Sequence, residues 1–189
     1  MLSLAITDPR YYGFKHEAFL QTLLGVLSSK KVDFITLRDK TTASYEELAK
    51  VFLSLRQNYL ETRFLLHTHY GLASSFGAFG VHLPSSSLDK IGDAKSRGLW
   101  VIASTHSLKE ATFAQNEGAD AITYSPIFET PNKPEPKGLE KLKEIRDKIS
   151  IKLFALGGIV TKSHINAVKN ARVDGFASIR FFLKNSQGF

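Results

Sequence analysis

The chain has 189 residues, 43% of them apolar, no cysteine and a formal net charge of +7. That length suits one domain with a substantial core, and the missing cysteines exclude disulfides, thiolate metal sites and cysteine nucleophiles. No apolar run approaches a membrane span, and Met1-Leu2-Ser3-Leu4 reads straight into a strand without a basic start or cleavage site, so a cytoplasmic protein with no membrane partner is expected.

Leu2 to Thr7 reads as a short apolar strand closed by Asp8-Pro9. Phe19, Leu20, Leu23, Leu24 and Leu27 repeat at helical spacing and predict a helix over His16 to Leu27. Val32 to Leu37 is a second strand, ending in Arg38-Asp39-Lys40. Ser44 followed by Glu47 is a capping-box pattern opening a helix that runs to about Gln57. Phe64 to Leu66 is a third strand ending at His67, and a short helix follows near Tyr70 to Phe76. Gly80 to Leu83 is a fourth strand, followed by Pro84 and a serine run. Trp100 to Ala103 is a fifth, ending at Ser104-Thr105-His106, and Ser107 with Glu110 starts the next helix. Ala121 to Tyr124 is a sixth. It breaks into a loop that holds four of the six prolines and ends at Gly138, where a helical pattern begins. Ile151 to Leu156 is a seventh strand, ending at Gly157-Gly158 before a helix near Ser163 to Asn170, and Gly175 to Ile179 is an eighth.

Near-continuous apolar runs are the mark of buried parallel strands, and strand-helix alternation makes the class α/β. Eight such units predict a single short (β/α)8 TIM barrel over residues 1–189, with an abbreviated or missing last helix. A doubly wound open sheet is the alternative.

A barrel delivers the C-terminal end of every strand to one face, where sites are built. Here those ends carry Arg38, Lys40, His67, Ser104, His106, Thr130, Asn132, Lys133, Gly157, Gly158 and Arg180. Thr130, Asn132 and Lys133 place a hydroxyl, an amide and a cation within one loop, a set suited to phosphate or pyrophosphate; taken alone the same loop fits an ordinary polar surface. Gly157-Gly158 lets an anion approach backbone N–H groups, and the loops after strands seven and eight are a frequent phosphate site in barrels. The 25 basic residues against 18 acidic ones favour anionic partners, but without a dense basic run these are small phosphates rather than nucleic acid. His67 and His106 end strands, and imidazole suits acid-base work; His106 fits equally as a cap of the adjacent turn. His82 lies within a strand and fits a hydrogen-bonded structural role, and His16 and His164 fall in helices as surface residues. No His/Asp/Glu cluster has metal-binding spacing, so no cofactor is expected from the residues alone.

Ala5-Ile6-Thr7-Asp8, Leu37-Arg38-Asp39-Lys40, Gly80-Val81-His82-Leu83-Pro84, Ser104-Thr105-His106-Ser107, Ser125-Pro126-Ile127-Phe128-Glu129-Thr130 with Lys133 and Lys137-Gly138-Leu139, and Ala155-Leu156-Gly157-Gly158-Ile159 occur in this order across the chain. Together they resemble the thiamine phosphate synthase/TenI family of (β/α)8 barrels. The resemblance implies one of two activities. A synthase joins hydroxymethylpyrimidine pyrophosphate to thiazole phosphate; a TenI-like tautomerase converts a thiazole carboxylate phosphate to its aromatic isomer. A non-catalytic phosphate-ligand-binding protein is a third reading. The resemblance puts pyrophosphate and substrate contacts on Arg38, Lys40, Ser104, Thr130, Asn132 and Lys133, and thiazole-phosphate contacts on Gly157, Gly158, Ser178, Ile179 and Arg180. His106, His67 and Lys133 are the candidate catalytic residues. The family's second-strand glutamine is Thr36 here, its Asn-Asp pair is His67-Thr68, and its second Mg²⁺ aspartate is Ser87. Mg²⁺ would enter only under the synthase reading. The tautomerase histidine after strand six is Ser125, and a small residue near the last phosphate site is Arg180. The leading expectation is a tautomerase; a homo-oligomer is left open.

Overall fold

The computed structural model describes residues 1–183, so residues 184–189 of the expected domain lie outside the described residues. Eight parallel strands pair in sequential order and close into a barrel. They are β1 (Leu2–Ile6), β2 (Phe34–Leu37), β3 (Arg63–His67), β4 (Gly80–Leu83), β5 (Trp100–Thr105), β6 (Ala121–Tyr124), β7 (Lys152–Leu156) and β8 (Gly175–Ser178). The expected closed barrel is therefore the observed one, and among the described residues no helix follows β8. No helix of the described residues is long and apolar enough to cross a membrane.

The outer side of the sheet is covered by α1 (Pro9–Tyr12), α2 (His16–Ser29), α3 (Tyr45–Ser54), α4 (Tyr70–Ser75), α5 (Ile91–Ser96), α6 (Leu108–Asn116), α7 (Gly138–Lys148) and α8 (Lys162–Lys169). Two of these, α1 and α5, were not predicted. Asp8-Pro9, read as a strand stop, is also a helix start: the Asp8 carboxylate accepts from Arg10 N and Pro9 takes the first helical position. The serine run after Pro84 forms a 3₁₀ turn, Ser85–Lys90, that leads into α5. The Ser44 capping box does not form; Ser44 makes no side-chain cap bond. Ser107 does cap α6, accepting from Glu110 N at 3.2 Å.

Helix-to-barrel contacts are apolar and dense. Phe52 of α3 and Phe64 of β3, both essentially buried, meet edge-on at 5.0 Å. Burying a side chain of that size contributes roughly 1.5–3 kcal/mol.

Inside a tilted barrel, residues at one height come from alternate strands. Above a rim of Leu2, Arg63, Trp100 and Lys152 at the N-terminal end, the strand register gives four inward layers. From the N-terminal end they are Phe34, Gly80, Ala121 and Gly175; then Leu4, Leu65, Ile102 and Phe154; then Thr36, His82, Thr123 and Ala177; then Ile6, His67, Ser104 and Leu156. The lower end is solid. Trp100 stacks on Phe34 at 4.8 Å, and the Arg63 guanidinium lies 5.3 Å over the rings of Phe34 and Phe79. Gly175 is glycine because a Cβ there would come within 2.4 Å of the Phe154 ring. The two upper layers turn polar on the β2 to β6 side and stay apolar across β7, β8 and β1, so the C-terminal mouth is chemically two-sided.

Candidate active site

The first cation at the mouth is held by a carboxylate from the neighbouring strand end. Thr7 locks β1 to β2, its hydroxyl accepting from Arg38 N at 2.9 Å. Asp8 is thereby brought 3.0 Å from Arg38 Nη1, and Arg10 adds bonds at 3.0 and 2.9 Å. Burial pushes the Asp8 carboxyl pKa up, but the Arg10 hydrogen bonds and the Arg10 and Arg38 charges outweigh it and hold the group below the usual range. Arg38 thus enters the mouth as a positioned, half-buried cation. Lys40 is exposed on the β2–α3 loop. Asp39 between them is occupied by the loop itself, accepting from the backbone N–H groups and hydroxyls of Thr41 and Thr42.

The two strand-end histidines are unlike. His67 faces inward, 7% exposed, with Nδ1 2.8 Å from the Thr68 hydroxyl and its ring edge-on to His82 at 5.5 Å. Burial, followed by nearby positive charge, pushes its pKa down to about 2. That direction favours the neutral ring and weighs against His67 relative to His106 as the candidate for proton transfer. His106 is exposed, just past β5. Its Nδ1 lies 3.0 Å from the Ser125 carbonyl oxygen and 3.3 Å from Ser125 Oγ. Its ring does not cap α6, a role filled by Ser107, while the Glu110 carboxylate accepts from His106 N. An imidazole from the β5–α6 loop therefore lies against the residue that ends β6. Sequence spacing could not show this, because 19 positions separate the two.

The β6–α7 loop folds over β7. Ile127 N donates to Leu156 O at 2.9 Å and Phe128 N to Gly157 O at 3.1 Å. A Cβ on Gly157 would meet Pro126 Cα at 2.7 Å, and one on Gly158 would meet Glu129 O at 2.5 Å. Both glycines also have positive φ, +101° and +68°. Close approach of this loop demands the pair, whatever else it binds. Farther along, the Thr130 hydroxyl donates to Phe128 O, Asn132 adopts φ 59°, and Lys133 N bonds Thr130 O. Asn132 and Lys133 are exposed, which leaves their side chains facing solvent at the mouth. Across the β7–β8 gap, buried Ser178 donates to Ile159 O at 2.7 Å and accepts from Phe181 N. Ile179 packs on the interior apolar cluster, and Arg180 is half-buried. Among the described residues no acceptor meets the backbone N–H of Gly157, Gly158, Ile179 or Arg180. These four free donors on two adjacent strand ends are what an anion would use. The helix that follows begins at its Thr161 cap, beyond the glycine pair.

Ser104, the remaining expected contact, sits in the top layer with Oγ 3.0 Å from His82 Nε2. His82 is only 2% exposed, and this bond is the hydrogen-bonded partner that its strand position led one to expect. His164 stacks on Phe128 at 4.5 Å, a contact with the site loop that its helical spacing did not reveal.

A divalent metal would need oxygen ligands here, and the chain supplies few. Thr68 and Ser87 stand where the resemblance expects aspartates. Among the described residues no group of three or more His, Asp or Glu side chains could hold a metal ion. Asp8 and Asp39 are already engaged. The residues present do not fit Mg²⁺.

The comparisons agree on the family. A family model described as thiamine monophosphate synthase matches residues 3–182. The chain is 38% identical over 185 residues to a putative thiamine-phosphate synthase 2 of Aquifex aeolicus, covering 95% of this chain and 96% of that one. It is 35% identical over 155 residues to a thiamine-phosphate synthase of Methanoculleus marisnigri, covering 78% of this chain and 72% of that one. A solved thiamine phosphate pyrophosphorylase from Pyrococcus furiosus superposes with a TM-score of 0.81 at 28% identity, covering 94% of this chain and 85% of that one. Matched from its first strand to just past its last, the chain belongs to the thiamine monophosphate synthase family of thiamin biosynthesis.

Proposed function

We propose that the barrel mouth binds a thiazole phosphate and catalyses a metal-independent tautomerisation of its ring, as TenI-like proteins do. The phosphate sits on the free N–H groups of Gly157, Gly158, Ile179 and Arg180, with Arg38, Lys40, Ser104, Thr130, Asn132 and Lys133 around the rest of the ligand. The observation that carries the reading is the His106 ring against Ser125. The family's tautomerase histidine is missing at position 125, but the His106 imidazole of the β5–α6 loop lies beside that position. Its Nδ1 is turned to Ser125, leaving Nε2 to take a proton from one ring position. The electron pair shifts through the ring and the proton returns at another position, so nothing is consumed. Positioning and one base suffice for such a step. Pyrophosphate displacement develops charge that a metal usually neutralises, and the carboxylates for that are missing.

A second reading, a divergent thiamine phosphate synthase, is favoured by the name of the 38%-identical Aquifex relative. Assaying both reactions with the purified protein, with and without Mg²⁺, separates the two. Tautomerase turnover should survive chelation, and His106→Ala should slow it by ~10²–10⁴-fold with thiazole-phosphate affinity kept. Efficient Mg²⁺-dependent condensation would establish the synthase instead. Ligand binding without either reaction would leave a non-catalytic binding protein.

A further inference from the structure

The third layer of the barrel leaves a polar requirement that its own side chains do not meet. Thr36 Oγ1, His82 Nδ1 and Thr123 Oγ1 are buried, and none has a hydrogen-bond partner among the described residues. Buried polar atoms are ordinarily satisfied, by protein or by ordered water. All three belong to one layer, on alternate strands facing the axis, and the fourth member is the small Ala177. The layer below carries Leu4, Leu65, Ile102 and Phe154 and is bulkier. Polarity and smaller side chains therefore coincide in the third layer, and three polar partners are what one buried water requires.

His82 connects this layer to the mouth. Its Nε2 is 3.0 Å from Ser104 Oγ in the layer above. Burial keeps the ring neutral, and a neutral imidazole donates from one nitrogen and accepts at the other. Whatever meets Nδ1 thus decides what Ser104 receives.

We propose that the third layer binds one water molecule between Thr36, His82 and Thr123, which donates to His82 Nδ1 and fixes the Nε2–H tautomer. His82 then donates to Ser104 Oγ, and the Ser104 proton is left to donate to an anionic ligand at the mouth. His82 is a positioning residue acting through Ser104. Only that final donation rests on the thiazole-phosphate reading.

Two ligand-free measurements test this, so their failure is distinct from failure of that reading. A high-resolution crystal structure of the full chain should show a solvent peak within hydrogen-bond reach of all three atoms. In ¹⁵N-histidine-labelled protein, His82 should give a pyridine-type Nδ1 signal and a pyrrole-type Nε2 signal. The near-isosteric double variant Thr36→Val/Thr123→Val should lose the peak and shift both signals away from that pattern. A dry layer, the Nδ1–H tautomer in the wild type, or signals unmoved in the double variant would each overturn the proposal. If the double variant does not fold, the wild-type density and tautomer decide alone.

Discussion

Replacing Gly158 by alanine tests whether the β6–α7 loop is held by contact with the β7 turn. At φ +68° an L residue pays roughly 1–2 kcal/mol for the left-handed conformation. The added Cβ would also lie 2.5 Å from Glu129 O, 2.6 Å from Phe128 Cβ and 2.8 Å from Phe128 C. Two of those atoms are backbone and the third is bonded to it, so no rotamer change relieves them and the loop itself must move. Overpacking of this kind costs about 1–3 kcal/mol. The two effects sum to roughly 2–5 kcal/mol, which for a chain of this size lowers Tm by on the order of 10 °C. The displaced segment carries Thr130, Asn132 and Lys133, so phosphate affinity should fall as well. Thermal unfolding and titration with thiazole phosphate read both effects. A variant with unchanged Tm and unchanged affinity would show that the loop yields freely and that the close approach is not what selects glycine.

Gly71→Ala should have the opposite sign, because Gly71 lies in α4 with nothing within 4 Å of a built Cβ; a gain of about 0.5–1 kcal/mol in urea unfolding is expected. Asp8→Asn should destabilise the fold by about 1–3 kcal/mol, since it removes the charge that Arg10 and Arg38 share; unchanged denaturation would show that the arginines find other partners. Burial pushes His67 and His82 down to about 2 and about 3, so the unfolded chain takes up protons near pH ~6.5 that the native chain refuses. The stability associated with these rings is therefore intact above that pH and falls below it, by up to roughly 1.4 kcal/mol per pH unit for each ring. Urea midpoints between about pH 6.5 and pH 5 should show the slope and His82→Gln should reduce it, whereas a flat wild-type profile would contradict neutral burial.

The fold was legible because its signals are local and repeated. Each strand is a short apolar run, and eight of them alternating with amphipathic segments leave few architectures. The identity of the strand-end residues followed from the same count. Contacts across the mouth did not follow. The pairing of His106 with Ser125, and the Asp8 carboxylate shared by Arg10 and Arg38, depend on which strand ends become neighbours once the barrel closes. Local rules also conflict where tertiary structure decides: Ser107 and Glu110 make their cap, whereas the identical spacing at Ser44 and Glu47 does not, because Ser44 sits with ψ 44° at the end of a turn already organised by Asp39. The third layer was hidden for a related reason. A strand buried on both faces shows no alternation to reveal which side Thr36, His82 or Thr123 points to, and their common height exists only through the barrel's stagger. The glycine pair illustrates the last difficulty. Read in sequence, Gly157-Gly158 signals an anion; read in the fold, it is already required by Pro126, Phe128 and Glu129 pressing against it. The two demands are compatible, since the same lack of side chains that admits the loop on one side leaves the backbone N–H groups open on the other. The packing of the β6–α7 loop against β7 therefore leaves open, as a consequence of closing the barrel, the edge on which the phosphate is proposed to sit.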